Sequence, residues 1–198
     1  MLIALQGAVS QGVLWGIMVL GVFITFRLLD IPDMTCDGSF ALGGCVCAVL
    51  IVNNSVDPLL AVLAGMCAGA IAGAVTGILT TVFEIPAILA GILTQLSLYS
   101  VNLKIMGKAN QAINVDKYNL LVSLRHIKNA SLSKNTIFIV AVMCILLIAI
   151  LYWFFGTELG CSLRATGCND RMSRAQGINT DFNRVLGLMI SNGLVAFS

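Results

Sequence analysis

Residues 58–83 read PLLAVLAGMCAGAIAGAVTGILTTVF, a run without a charge in which Gly65, Gly69, Gly73 and Gly77 recur at every fourth position. That spacing puts the four glycines on one side of an α-helix as a smooth ridge. The run exceeds the roughly 18 residues that a helix needs to cross a bilayer. At about 1.5 Å per residue it is also longer than the hydrocarbon core, so it should tilt or extend into the interface. Lipid gives no hydrophobic drive between helices, whereas a glycine ridge lets a second backbone approach closely. The stretch predicts one member of a packed transmembrane bundle, with Gly65, Gly69, Gly73 and Gly77 as helix-packing residues.

The rest of the chain agrees. Further uncharged runs cover 1–26, 38–56, 85–103 and 135–157, and the 198 residues are 59% hydrophobic and only 10% charged. A soluble domain carries about 25% charge. The composition therefore excludes an ordinary soluble enzyme and a nucleic-acid binder, whose basic patches would need solvation. The net charge of +2 says little about partners. The expected fold is all-α: a polytopic transmembrane helix bundle of five spans plus the start of a sixth, forming one domain over 1–198 in a lipid bilayer. The first span, 4–26, lacks the basic segment and cleavage site of a signal peptide and reads as a lasting membrane helix. It ends where Arg27, Asp30, Pro32 and Asp33 cluster. The second runs from near Met34 to Val52, and the third opens with Pro58, suited to a first helical turn. The fourth covers 85–103. The fifth, about 137–156, ends in the aromatic belt Tyr152-Trp153-Phe154-Phe155. Seven cysteines, an odd number lying mostly in apolar runs, read as packing residues, so no metal or redox cofactor is expected.

Polar residues at membrane depth are costly and tend to face protein or a water-filled path. Asp37, at the head of the second span, is thus a candidate pathway residue. It is equally a candidate helix cap, as is Thr35. Gln95 and Asn102 are seven apart and share a face with Tyr99, which makes a stripe suited either to gluing helices or to lining a solute path. Residues 104–134 carry Lys104, Lys108, Lys117, Arg125, Lys128 and Lys134 against Asp116 alone. Within them Leu120, Leu124 and Ile127 suggest an amphipathic surface helix. His126 has no acidic neighbour in sequence and reads as solvated.

From 156 the chain reads GTELGCSLRATGCNDRMSRAQGINTDFNRVLGLMISNGLVAFS. Met172, Ala175, Ile178, Phe182 and Val185 form an apolar stripe interrupted at Gly177. Gly177 suits a left-handed helix end, and Thr180 or Asp181 could cap the next helix. The pattern is helix, sharp turn, helix. On physics alone it also fits a solvated interfacial loop.

The run Gly160, Arg164-Ala165, Gly167, Asn169, Met172, Ala175, Gly177-Ile178-Asn179, Thr180-Asp181 resembles the cytoplasmic coupling loop of ABC importer permeases in the branched-chain amino acid and ribose permease family. Leu5-Gln6 with Gly12, and Asp37-Gly38-Ser39 with Gly43-Gly44, are similar to the first two spans of that family. The resemblance implies a transport subunit of a bacterial cell membrane rather than an enzyme. Its implied partners are a cytoplasmic ABC ATPase, an extracytoplasmic solute-binding protein and a second permease copy or paralogue. Residues 158–184 would form the cytoplasmic coupling segment, its site residues Arg164, Ala165, Gly167, Asn169, Arg171, Met172, Arg174, Ala175, Gly177 and Ile178. In this picture Arg164, Arg171 and Arg174 meet acidic groups of the ATPase, Met172 and Ile178 add apolar contact, and Gly177 permits the turn. The cargo would be an amino acid or related small solute.

The chain contains no G-x-x-x-x-G-K-[ST] motif, so ATP hydrolysis is assigned to the partner. Relatives continue past the sixth span, which makes a partial chain the expectation. Charge bias pulls the other way on orientation: residues 104–134 hold six basic residues and 158–184 hold four, with one span between them. The competing readings are an ATP-independent channel or secondary carrier and, more remotely, a membrane enzyme.

Overall fold

The computed structural model describes residues 2–54, 56–107 and 130–198. The basic stretch around Lys117, with Leu120, Leu124, His126 and Ile127, lies outside them. Among the described residues there are only helices: α1 Leu2–Phe23, α2 Cys36–Asn54, α3 Pro58–Thr81, α4 Ala87–Met106, α5 Ala130–Phe155, α6 Glu158–Cys168, α7 Asp170–Ala175 and α8 Thr180–Phe197. A π-helical turn, Ile24–Leu28, prolongs α1. Four windows are long and apolar enough to cross a membrane, namely Gln11–Leu28, Cys36–Asn53, Pro58–Thr81 and Ala87–Met106. Val140–Phe155 and Glu158–Cys168 form a fifth candidate bent by 79°. The bend makes α6 leave the bundle axis nearly at right angles to α5.

The glycine ridge of α3 meets its partner in α8. Gly65, Gly69, Gly73 and Gly77 are all buried. A Cβ at Gly77 would come 2.9 Å from Val185 Cα, one at Gly73 would overlap the Leu188 carbonyl, and one at Gly69 would sit 2.6 Å from the Asn192 carbonyl oxygen. Gly65 instead faces α2, where a Cβ would be 3.0 Å from the Gly43 carbonyl oxygen. Rising residue numbers on α3 meet falling numbers on α8, so the two helices are antiparallel. α1 also crosses α8 in the opposite sense: Leu29 covers Gly187, Gly21 lies against Ser191 and Val195, and Ser198 Oγ donates to the Leu14 carbonyl at 3.1 Å. α8 is the central post of the bundle.

At one end, Ile24, Leu29, Leu163 and Leu194 form an apolar cluster that Leu147, Leu151 and Phe155 complete. The aromatic belt therefore splits. Tyr152 and Trp153 are exposed, as an interfacial girdle requires, while Phe155 turns inward edge-on to Phe154, with centroids 5.4 Å apart.

Candidate coupling segment and solute path

Helix α6 starts under a cap, because Thr157 Oγ1 accepts from Gly160 N–H at 3.4 Å. Its inner face is small. A Cβ on Gly167 would run into the Leu28 carbonyl, and one on Gly160 into the backbone of Phe154 and Phe155. These glycines let α6 lie flat against the π-helical turn and the end of α5. Asn183 Nδ2 donates to Thr166 Oγ1 at 2.9 Å, tying α6 to α8.

Asn169 then breaks the helix and caps the next, its Oδ1 accepting from Met172 N–H at 3.1 Å. α7 lasts six residues and closes in a Schellman motif: Gly177 N–H donates to Arg174 O at 3.0 Å and Ile178 N–H to Ser173 O at 3.1 Å. Gly177 has φ +84°, the left-handed value expected of it. The next cap differs from the expectation of Thr180 or Asp181. Asn179 Oδ1 accepts from Phe182 N–H at 3.1 Å, because the chain leaves the Schellman turn already extended at Asn179.

Thr180 and Asp181 hold an arginine instead. Arg174 Nε donates to Thr180 Oγ1 at 2.7 Å and pairs with Asp170 at 3.4 Å, and its Nη2 meets Asp181 Oδ1 at 2.8 Å. Arg184 adds a 3.4 Å pair to Asp170. Arg174, grouped in the sequence with Arg164 and Arg171 as a partner-facing residue, thus has acidic partners within its own segment and braces α7 to α8. Arg164 and Arg171 are exposed and make no ion pair among the described residues. Met172 and Ala175 are exposed beside Arg171, Ile178 is half-buried and so is Ala165.

The candidate path residues come together. Asp37, Gly38, Ala41, Gln95, Tyr99 and Asn102 line a cavity of about 190 Å³ between α2 and α4. Gly38 packs beside Gln95 Cα at a Cβ distance of 3.3 Å. Gln95 is eight residues into α4, about 12 Å along its axis. Asp37 therefore lies in the first turn of α2 but faces the middle of α4, and its carboxylate makes no capping hydrogen bond among the described residues.

The turn before α2 is built by a residue the sequence reading passed over. Asp33, 3% exposed, accepts from Thr35 N–H at 2.8 Å and from Asn192 Nδ2 at 2.7 Å. Asn192 Oδ1 in turn lies 2.7 Å from Ser39 Oγ, while Thr35 Oγ1, no cap either, pairs with Thr76 Oγ1 at 2.9 Å. This buried network locks the α1–α2 linker to α3 and α8. Its one sequence signal is Ser191-Asn192 inside an otherwise apolar run, a polar pair that a lipid-facing helix would avoid.

All seven cysteines are free. Among the described residues no three His, Cys, Asp or Glu side chains gather as a metal site would require.

Residues 4–198 match the profile of a family described as branched-chain amino acid transport system / permease component. A tyrosine transport system permease protein of Clostridioides difficile (strain R20291) is 40% identical over 190 residues, covering 96% of this chain and 60% of that protein. An uncharacterized protein of Rickettsia prowazekii (strain Madrid E) is 34% identical over 194 residues, covering 96% of this chain and 64% of its own length. The chain thus spans about three-fifths of the length of the curated relatives it matches. No solved structure matches it. With a match over nearly all of its residues, the chain belongs to the branched-chain amino acid transport system permease family.

Proposed function

We propose that the chain is the membrane-spanning permease part of a bacterial ABC importer, passing an amino acid or a related small solute through the cell membrane while a separate ATPase supplies the energy. The observation that carries this reading is the α6–α7 segment: a rigid, capped helix–turn–helix that crosses the end of the bundle and presents Arg164, Arg171 and Met172 outward. Family membership supports it, and the relative named for tyrosine transport supports an amino acid as cargo. A solute-binding protein delivers cargo at the opposite face. A second permease copy or paralogue covers the α2–α4 side, where an exposed Asp37 at bilayer depth would be costly against lipid.

The segment couples mechanically. α7 seats on the ATPase, and Gly167 and Leu163 pass its displacement to the π-helical turn and the Leu29 cluster, which touches α8 through Gly187. The test is co-purification of the full-length subunit with its ATPase. Arg164→Glu with Arg171→Glu should abolish recovery of the ATPase while the bundle stays folded. Undiminished recovery, or solute uptake into proteoliposomes that needs no ATP, would sink the reading.

A further inference from the structure

The cavity between α2 and α4 has a chemistry of its own. Its one charged lining residue is Asp37, whose exposed carboxylate has no ion-pair or hydrogen-bond partner among the described residues. Asn102, 7% exposed, leaves Oδ1 buried with no hydrogen-bond partner. An orphan acceptor of that kind is costly to bury, and a soluble ligand that brings a donor would relieve it. Tyr99 adds an aromatic face, 66% exposed, of the kind that attracts cations. Gln95 is half-buried on the same wall. No Lys or Arg lines the cavity.

We infer that this cavity is a subsite for the protonated amino group of the solute. Asp37 supplies the counter-charge, Asn102 Oδ1 accepts one N–H, and the Tyr99 ring packs against the cation. At about 190 Å³ the cavity is smaller than the roughly 300 Å³ at which whole-ligand pockets begin, so it takes the ammonium end of the solute and leaves the rest to the adjoining space. A free carboxylate would meet the negative charge of Asp37 and be turned away. This subsite deepens the proposed import function, yet it can be tested separately from it.

The experiment measures binding to the full-length subunit in nanodiscs, without ATP or a solute-binding protein. The probes are L-tyrosine, tyramine, which keeps the ammonium and lacks the carboxylate, and 3-(4-hydroxyphenyl)propionate, which lacks the ammonium. The wild type should bind the first two saturably and the third not at all. Asp37→Asn should weaken amine binding about tenfold, with Asp37→Glu retaining most of it. Asn102→Leu should weaken it several-fold while leaving the melting temperature unchanged or raised, since an orphan acceptor is removed. A purely structural Asn102 would instead melt lower. Ser97→Ala, on the neighbouring face of α4, is the control. Absence of saturable amine binding, equal binding of the propionate, or indifference to Asp37→Asn would overturn the inference. Loss of ATP-driven uptake with amine binding intact would count against the importer reading alone.

Discussion

Gly73 has no room for even a methyl group, because a Cβ there would overlap the Leu188 carbonyl and come 3.0 Å from Asn192 Cβ. The expected order of damage along the ridge is therefore uneven. Gly73→Ala should destabilise by about 1–3 kcal/mol through overpacking, whereas Gly65→Ala, which needs only a slight shift of Gly43, should cost less. Detergent melting curves of the two alanine variants, with Gly73→Leu as the extreme, would decide it; equal curves for all three would place the ridge against lipid. Asn192 illustrates a different residue-level dependence. It serves Asp33, Ser39 and the Leu188 carbonyl at once. Asn192→Leu should cost about 1–3 kcal/mol by leaving the buried Asp33 carboxylate with Thr35 N–H as its remaining nitrogen donor. Paired with Asp33→Leu it should cost far less than the sum of the two changes. Additive melting shifts would mean that the two side chains do not share one network.

The coupling segment works as a unit because each of its joints is closed by a different device. Thr157 and Asn169 cap the starts of α6 and α7, Gly177 ends α7, and Arg174 spans the gap to α8. Gly177→Ala forces an L-residue into the left-handed region at a cost of about 1–2 kcal/mol, and Gly177→Asn should cost less. Amide exchange at Gln176–Asn179 should quicken in the order Gly, Asn, Ala; no change would mean the turn is held by α8 alone. Arg174 and Arg171 should also separate in function. Arg174→Ala should loosen the same amides, while Arg171→Ala should leave them alone and lower only ATPase recovery.

For the molecule as a whole, helix polarity follows from which residues meet. α1, α3 and α5 run toward the end that carries α6 and α7, and α2, α4 and α8 run away from it. If the coupling segment faces the cytoplasm, the N-terminus of α1 and the exposed Lys104 at the end of α4 lie outside. With native cysteines removed, Lys104→Cys should react with a membrane-impermeant thiol reagent in intact cells, and Arg171→Cys only in opened ones. The reverse pattern would mean that the basic stretch after α4 sets orientation, and the importer reading would fall with it.

Composition and periodicity alone determined the membrane class, the glycine ridge and the turn at Gly177, because each depends on local spacing: a run's length against the bilayer, a four-residue repeat, a residue that tolerates positive φ. The sequence also named Asp37, and the stripe of Gln95, Tyr99 and Asn102, as polar residues at depth, without joining the two. Only the tertiary structure decided that the ridge belongs to α8, that Arg174 braces its own segment, that Asn179 is the cap, and that Asp33 rather than Asp37 builds the turn into α2. The ridge and the Asp33 turn depend on groups more than a hundred residues away along the chain, whereas Arg174 and Asn179 find their partners within seven residues, once the chain has left the Gly177 turn extended. Asp33 and Asn192 are 159 positions apart, and no local pattern encodes that meeting.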